Sequence, residues 1–162
     1  MADFTEIRKG EIKLPFDPAD RGEATVSFIG HIRSDWSRGH GPRNVGQARG
    51  MGGGNARIEL RPGYAPGLTG LAVGQVIWVL YWMDKARRDL IVQAPRHADG
   101  LRGTFALRSP VRPNPVSMSA VRITALDMDS GVIGIDATDA FDGTPVVDIK
   151  PMLDTVDIPP PA

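Results

Sequence analysis

The chain has 162 residues, of which 41% are apolar and 23% charged, with 19 basic side chains balancing 19 acidic ones. That is a globular composition with enough length for one sizeable core. There is no cysteine, which excludes disulfide scaffolds, thiolate metal sites, iron–sulfur clusters and thiol nucleophiles.

The balance of charge hides an uneven distribution. Residues 31–122 hold 14 basic and 5 acidic side chains, a net +9, while residues 123–162 hold 1 basic and 8 acidic, a net −7. Fifteen of the basic residues are Arg, whose planar fork of donors suits phosphate and carboxylate. The basic middle either meets a polyanion or is neutralised within the fold by the acidic end.

Nineteen glycines and 14 prolines imply many turns and few long helices. Residues 1–22 are polar and read as an N-terminal arm or peripheral strand. Their acidic opening, Met1-Ala2-Asp3-Phe4-Thr5-Glu6, lacks the hydrophobic stretch of a secretory signal. Val26, Phe28 and Ile32 alternate with Thr25, Ser27 and His31, a strand pattern. The stretch from Arg38 to Asn55 is glycine-rich. It lacks the spacing of a dinucleotide-binding turn and any Walker sequence, and composition favours a surface loop. Ala56, Ile58 and Leu60 mark a second strand, and Pro66 to Leu71 holds a helical turn. Val76 to Met83 is apolar at all eight positions. That run is too short to span a bilayer as a helix and reads as a strand buried on both faces. Met83 to Val92 is a second candidate helical turn.

Arg108-Ser109-Pro110-Val111-Arg112-Pro113-Asn114-Pro115 places three prolines in six positions. These fix the backbone and hold two Arg and an Asn in place. Val121, Ile123 and Ala125 alternate, and Val132 to Ile135 follows a turn at Asp129-Ser130-Gly131, a hairpin signal. Asp139-Ala140-Phe141-Asp142-Gly143-Thr144-Pro145 carries an Asp-Gly turn. It is either a plain turn or a carboxylate and backbone groups offered to a polar ligand. Val147 and Ile149 end the series, with Asp148 and Lys150 on one face. Pro159 to Pro161 reads as a frayed tail. The fold class is mostly β, a single-domain barrel or sandwich with short helical turns. The histidines, His31, His40 and His97, have no ligand spacing among them, so no metal site is expected.

Phe105 to Ser119, with Arg108-Ser109-Pro110 and Arg112-Pro113-Asn114-Pro115 at its heart, resembles the first signature of the TsaA-like (YaeB-like) or TrmO family. Phe141 to Pro151, reading Asp142-Gly143-Thr144-Pro145 and Asp148-Ile149-Lys150-Pro151, is similar to its second signature. Ile29 to Ser34 and the strand from Val76 resemble two further family segments in the same order. The resemblance covers about residues 26–155. It implies a β-barrel over residues 23–158, with a tail at 159–162, usually homodimeric and binding S-adenosylmethionine. The implied activity is methylation of the exocyclic amine of threonylcarbamoyl-adenosine in tRNA, near the anticodon.

Carried over by position, the implied cofactor residues are Pro42, Arg43, Asn44, Met83, Asp84, Arg108, Met118, Ala140, Phe141, Asp142, Gly143 and Thr144. Arg43 or Arg108 suits the cofactor carboxylate, and Asp84 or Asp142 its ammonium or a ribose hydroxyl. Methyl transfer is an in-line displacement that needs alignment more than a strong acid. Asn114 is the candidate for orienting the amine and Asp142 for accepting its proton. Arg112, Asn114 and Lys150 are the candidates for contacting substrate. The family pattern is broken at Asn44 for Gln, Met83-Asp84 for His-Gln, Ser117 for Gly and Met152 for Tyr. Two other functions fit the same residues: a non-catalytic S-adenosylmethionine sensor, and a methyltransferase for a small amine. No membrane partner is expected, and the expected compartment is the cytoplasm.

Overall fold

A computed structural model describes residues 6–96 and 98–162. The elements run β1 (Ile12–Lys13), β2 (Gly30–Arg33), α1 (Val45–Gly50), β3 (Arg57–Leu60), β4 (Val76–Trp82), β5 (Leu90–Gln93), β6 (Arg102–Gly103), β7 (Val116–Asp127), β8 (Val132–Ile135), β9 (Pro145–Pro151) and α2 (Asp154–Asp157), with short 3-10 turns between. The chain is mostly β, as its alternating patterns predict. It divides into two compact units. One comprises the described residues to Val26 with Met83–Ser117, the other Ser27–Trp82 with Met118–Ala162.

The second unit is built on a closed barrel of strand order β2-β3-β8-β7-β4-β9. Its interior is written in the alternation. Ile32 faces Ile58 across β2–β3, and Ile58 faces Ile133 across β3–β8. All three are fully buried. Ile77, Val79 and Tyr81 of β4, Val121 and Ile123 of β7, and Val146 of β9 complete the core. Each such side chain contributes roughly 1.5–3 kcal/mol relative to exposure. The β7–β8 hairpin forms over Asp127, whose Oδ1 accepts the backbone N–H groups of Asp129 and Ser130. A helical turn occupies Ala65–Leu68. β4 buries one face fully, while Val76, Trp78, Leu80 and Trp82 on the other are only half-buried.

The first unit pairs β1 with β5 and β5 with β6. Buried Gln93 ties it together: its Nε2 donates to Thr104 Oγ1 at 2.9 Å and to the Val111 carbonyl at 2.6 Å. Asp89 accepts from Arg87 at 2.7 Å and pairs with Lys13 at 3.2 Å.

Three local expectations are corrected. The strand expected from Val26 begins only at Gly30. Val26 is half exposed, and the Phe28 ring packs on Trp82, centroids 6.3 Å apart. The helical turn expected between Met83 and Val92 is replaced by a turn and β5, since the Leu90–Gln93 backbone is drawn into pairing with β1 and β6. The glycine-rich stretch holds α1 rather than loop alone. Asn44 caps it, Oδ1 accepting from Gln47 N at 2.8 Å.

Asp89 carries a testable acid sensitivity. The Arg87 hydrogen bond, opposed by burial and reinforced by Lys13, holds its carboxyl down at about 2 from an ordinary 3.8. A carboxyl lower in the folded than in the unfolded state stabilises above its unfolded value and stops doing so as pH falls through the folded one. About 2 kcal/mol should therefore be lost between roughly pH 5 and pH 2. Asp89→Asn should flatten that part of the stability–pH curve measured by denaturant unfolding. An unchanged curve would refute the pairing.

Candidate functional site

The residues singled out by sequence fall into both units. In the barrel unit, β2 leaves and β9 enters at the same end, and the segments that follow and precede them interlock. Ser34 Oγ donates to the Ala140 carbonyl at 2.8 Å, and the Asp142 N–H donates to the Trp36 carbonyl at 2.9 Å. Trp36 Nε1 donates to the Thr138 carbonyl at 2.7 Å. Gly143 donates to Ile32 O at 2.8 Å and takes φ 82°, the left-handed position that its turn requires. Thr144 closes the turn on the Phe141 carbonyl through both its N–H and its hydroxyl. Ala140 to Thr144 is thus a fixed loop, with Ala140 and Thr144 buried and Asp142 exposed.

Gly41, just before Pro42-Arg43-Asn44, lies against it. A Cβ built on Gly41 would stand 3.1 Å from the Phe141 ring. The Asn44 side chain is committed to the α1 cap, and the Arg43 N–H donates to Gln47 Oε1 at 2.7 Å. The Arg43 guanidinium is exposed and holds no ion pair among the described residues. Arg38 and Arg61 share that condition. The end of the glycine-rich stretch is packed rather than free. Gly54 is buried at φ 76°, and a Cβ there would fall 2.4 Å from the Trp36 indole.

The carboxylates of this end differ in their partners. Asp142 accepts the Ser34 N–H at 3.2 Å and sits 3.6 Å from Arg33, whose Nε binds Glu59 at 2.8 Å. Asp136 binds Arg49 Nε at 2.7 Å and accepts the Arg122 N–H at 2.8 Å. Burial would raise the Asp136 carboxyl, but Arg49 and the Arg122 N–H outweigh it and hold it low. Asp139 accepts from the buried Tyr81 hydroxyl at 2.6 Å, and Tyr81 also meets Ser119 Oγ at 3.1 Å. Lys150 pairs with Asp148 at 2.7 Å, which raises its ammonium above the usual value. Met118 lies on β7, partly exposed.

Met83, Asp84, Arg108, Arg112 and Asn114 belong to the other unit. The Met83 N–H donates to the Pro115 carbonyl at 2.8 Å, and Asp84 is exposed in the turn that follows. Arg112 Nη1 donates to the carbonyls of Leu107 and Ser109 at 3.0 and 3.1 Å, bracing its own loop. Asn114 Oδ1 accepts from Arg88 Nη2 at 3.3 Å, and Arg88 Nε grips the Pro113 carbonyl. Arg108 is exposed.

Sequence reasoning missed Arg88, Trp36, Tyr81 and Ser119. Tyr81 left a signal as an inward position in the alternation of β4, and Ser119 as the last residue of the first family signature. His97 lies outside the described residues. Among the described residues no cluster of metal-ligating side chains is found, and no helix is long and apolar enough to cross a membrane.

A closed six-stranded barrel with two interlocked loops at one end defines a mostly-β domain class. Residues 31–158 match the family model described as tRNA-methyltransferase O N-terminal domain, and the chain belongs to that family. It is 32% identical over 148 residues to "Probable S-adenosyl-L-methionine-binding protein VirR" of Rhizobium radiobacter, covering 91% of this chain and 80% of that protein. A second "Probable S-adenosyl-L-methionine-binding protein", from Archaeoglobus fulgidus, is 43% identical over 100 residues, covering 62% of this chain and 27% of that protein. The crystal structure of TrmO from Pseudomonas aeruginosa superposes with a TM-score of 0.64 at 29% identity, covering 86% of this chain and 60% of that chain. This chain therefore spans about three fifths of that solved protein and about a quarter of the Archaeoglobus relative. The expected cofactor, S-adenosylmethionine, is the ligand in the names of both relatives.

Proposed function

We propose that this protein binds S-adenosylmethionine and transfers its methyl group to the exocyclic amine of threonylcarbamoyl-adenosine in tRNA. Family membership supports the reaction class, and the relatives' names support the cofactor. The observation that supports the reading is the interlock of residues 34–41, which lead into Pro42-Arg43-Asn44, with residues 138–144. Two segments about a hundred positions apart meet at one end of the barrel; one leads into the exposed Arg43 and the other carries the exposed Asp142 carboxylate.

In this reading Pro42, Arg43, Asn44, Met118 and Ala140 to Thr144 are cofactor residues of the barrel unit. Arg43 takes the carboxylate, and the Asp142-Gly143 carbonyls read the nucleoside. Met83, Asp84 and Arg108 carry the same assignment from the family pattern. Asp142 accepts the amine proton and Lys150 meets RNA; Asn114 and Arg112 carry their substrate assignments from the family pattern alone. The exposed Arg38 and Arg61 add to the basic surface. A homodimer belongs to the same reading, with the half-buried face of β4 as its contact.

The test is methyl incorporation from labelled S-adenosylmethionine into threonylcarbamoyl-adenosine-containing tRNA. Incorporation should occur and should weaken as salt rises, because phosphate contacts release counterions. Cofactor binding without incorporation would leave a non-catalytic binding protein, the second reading, which the relatives' names favour because they speak of binding alone. Salt-insensitive turnover without RNA would point to a small amine.

A further inference from the structure

Three aspartates punctuate the chain between β8 and β9, and they are not equivalent. Asp136 is neutralised by Arg49 and Asp142 stands beside Arg33. Asp139 has no cationic partner among the described residues; the Tyr81 hydroxyl holds it instead. Its neighbours Thr138 and Ala140 are buried, the Tyr81 side chain is 3% exposed and Ser119 is 6% exposed. The Tyr81 hydroxyl donates to Asp139 Oδ1 at 2.6 Å and lies 3.1 Å from Ser119 Oγ. A half-buried carboxylate that accepts from one neutral hydroxyl keeps its remaining lone pairs for another partner. It is stabilised most by a cation arriving from outside the chain. Asp142, more exposed and already beside a guanidinium, has less to gain from one.

We infer that Asp139, positioned by Tyr81 and Ser119, is the carboxylate that pairs with the ammonium group of the amino-acid portion of the bound nucleoside. The inference rests on the cofactor reading above and deepens it. It moves the ammonium contact away from Asp84 and Asp142, where the sequence placed it. Asp139 holds the ligand, and Tyr81 is a positioning residue that acts through Asp139.

Calorimetric titration with three probes tests this. S-adenosylmethionine and S-adenosylhomocysteine both carry the ammonium, whereas 5′-methylthioadenosine keeps the nucleoside and lacks the amino-acid portion. Asp139→Asn should weaken the first two by roughly tenfold to hundredfold, the usual worth of a charge-assisted contact, and leave the third within about twofold. Tyr81→Phe keeps the ring in the core and removes only the hydroxyl. It should show the same ligand pattern at a few-fold loss, which a merely structural role would not produce. Equal losses on all three ligands, or no loss on any, overturn the assignment while wild-type binding upholds the cofactor reading. A wild type that binds none of the three overturns the cofactor reading and this assignment with it.

Discussion

Gly54→Ala is expected to lower stability by about 2–5 kcal/mol, the sum of two separate penalties. Gly54 has φ 76°, and a side chain in that left-handed region costs roughly 1–2 kcal/mol. The added Cβ would also fall 2.4 Å from the Trp36 indole, and such overpacking costs about 1–3 kcal/mol. Neither penalty is easily relaxed, because Trp36 is anchored at both ends. Its Nε1 donates to the Thr138 carbonyl and its own carbonyl accepts from Asp142. The melting temperature of a chain this long should drop by roughly 5–15 °C. The decisive measurement is a double-mutant cycle with Trp36→Leu. Removing the indole relieves the overlap but not the backbone strain, so the two costs should fail to add by about 1–3 kcal/mol. Additive costs, or a Gly54→Ala protein that melts with the wild type, would show that the indole does not lock this end of the barrel. Because residues 138–144 hang on Trp36, the same substitution should weaken S-adenosylmethionine binding.

What the sequence discloses and what it hides follow from how local each signal is. The run from Val76 and the β7–β8 hairpin are legible because alternation and an Asp-Ser-Gly turn lie within a few residues. The Asp142-Gly143 turn is legible for the same reason. α1 is harder to see, although its cap is present as Asn44 with Gln47 three positions on; seven glycines between Arg38 and Asn55 outweigh it in any composition argument. Val26 and Phe28 keep the period of a strand but pair with no ladder, since Phe28 finds its burial against Trp82. The contact of Tyr81 with Asp139 joins residues 58 positions apart, and Trp36 reaches Thr138 across 102. No local pattern records such meetings, because barrel closure creates them. The family signatures run through Asn114, Asp142 and Lys150. They mark which segments matter without saying that Lys150 leans on Asp148 or that Arg88 holds Asn114.

Asp142→Asn should separate chemistry from scaffold at the proposed proton acceptor. In the folded chain Asp142 does two things with its side chain: it accepts the Ser34 N–H at 3.2 Å and stands 3.6 Å from Arg33. Asparagine keeps an oxygen for Ser34, so the loop retains that bond. The ion pair is exposed, a setting in which such pairs contribute little, and Arg33 keeps its closer partner Glu59. The melting temperature should therefore stay near wild type. An amide cannot take up the proton that the amine releases when it accepts the methyl group. With tRNA as acceptor, kcat should fall by about 10²–10⁴, the usual contribution of a positioned acid or base. The KM for S-adenosylmethionine should change only a few-fold. Asp142→Ala removes the Ser34 contact as well and should match the asparagine variant in kcat while melting lower. If Asp142→Asn raised KM with kcat intact, the carboxylate would be a binding group that serves ground and transition states alike, and the proton would have to leave by another route.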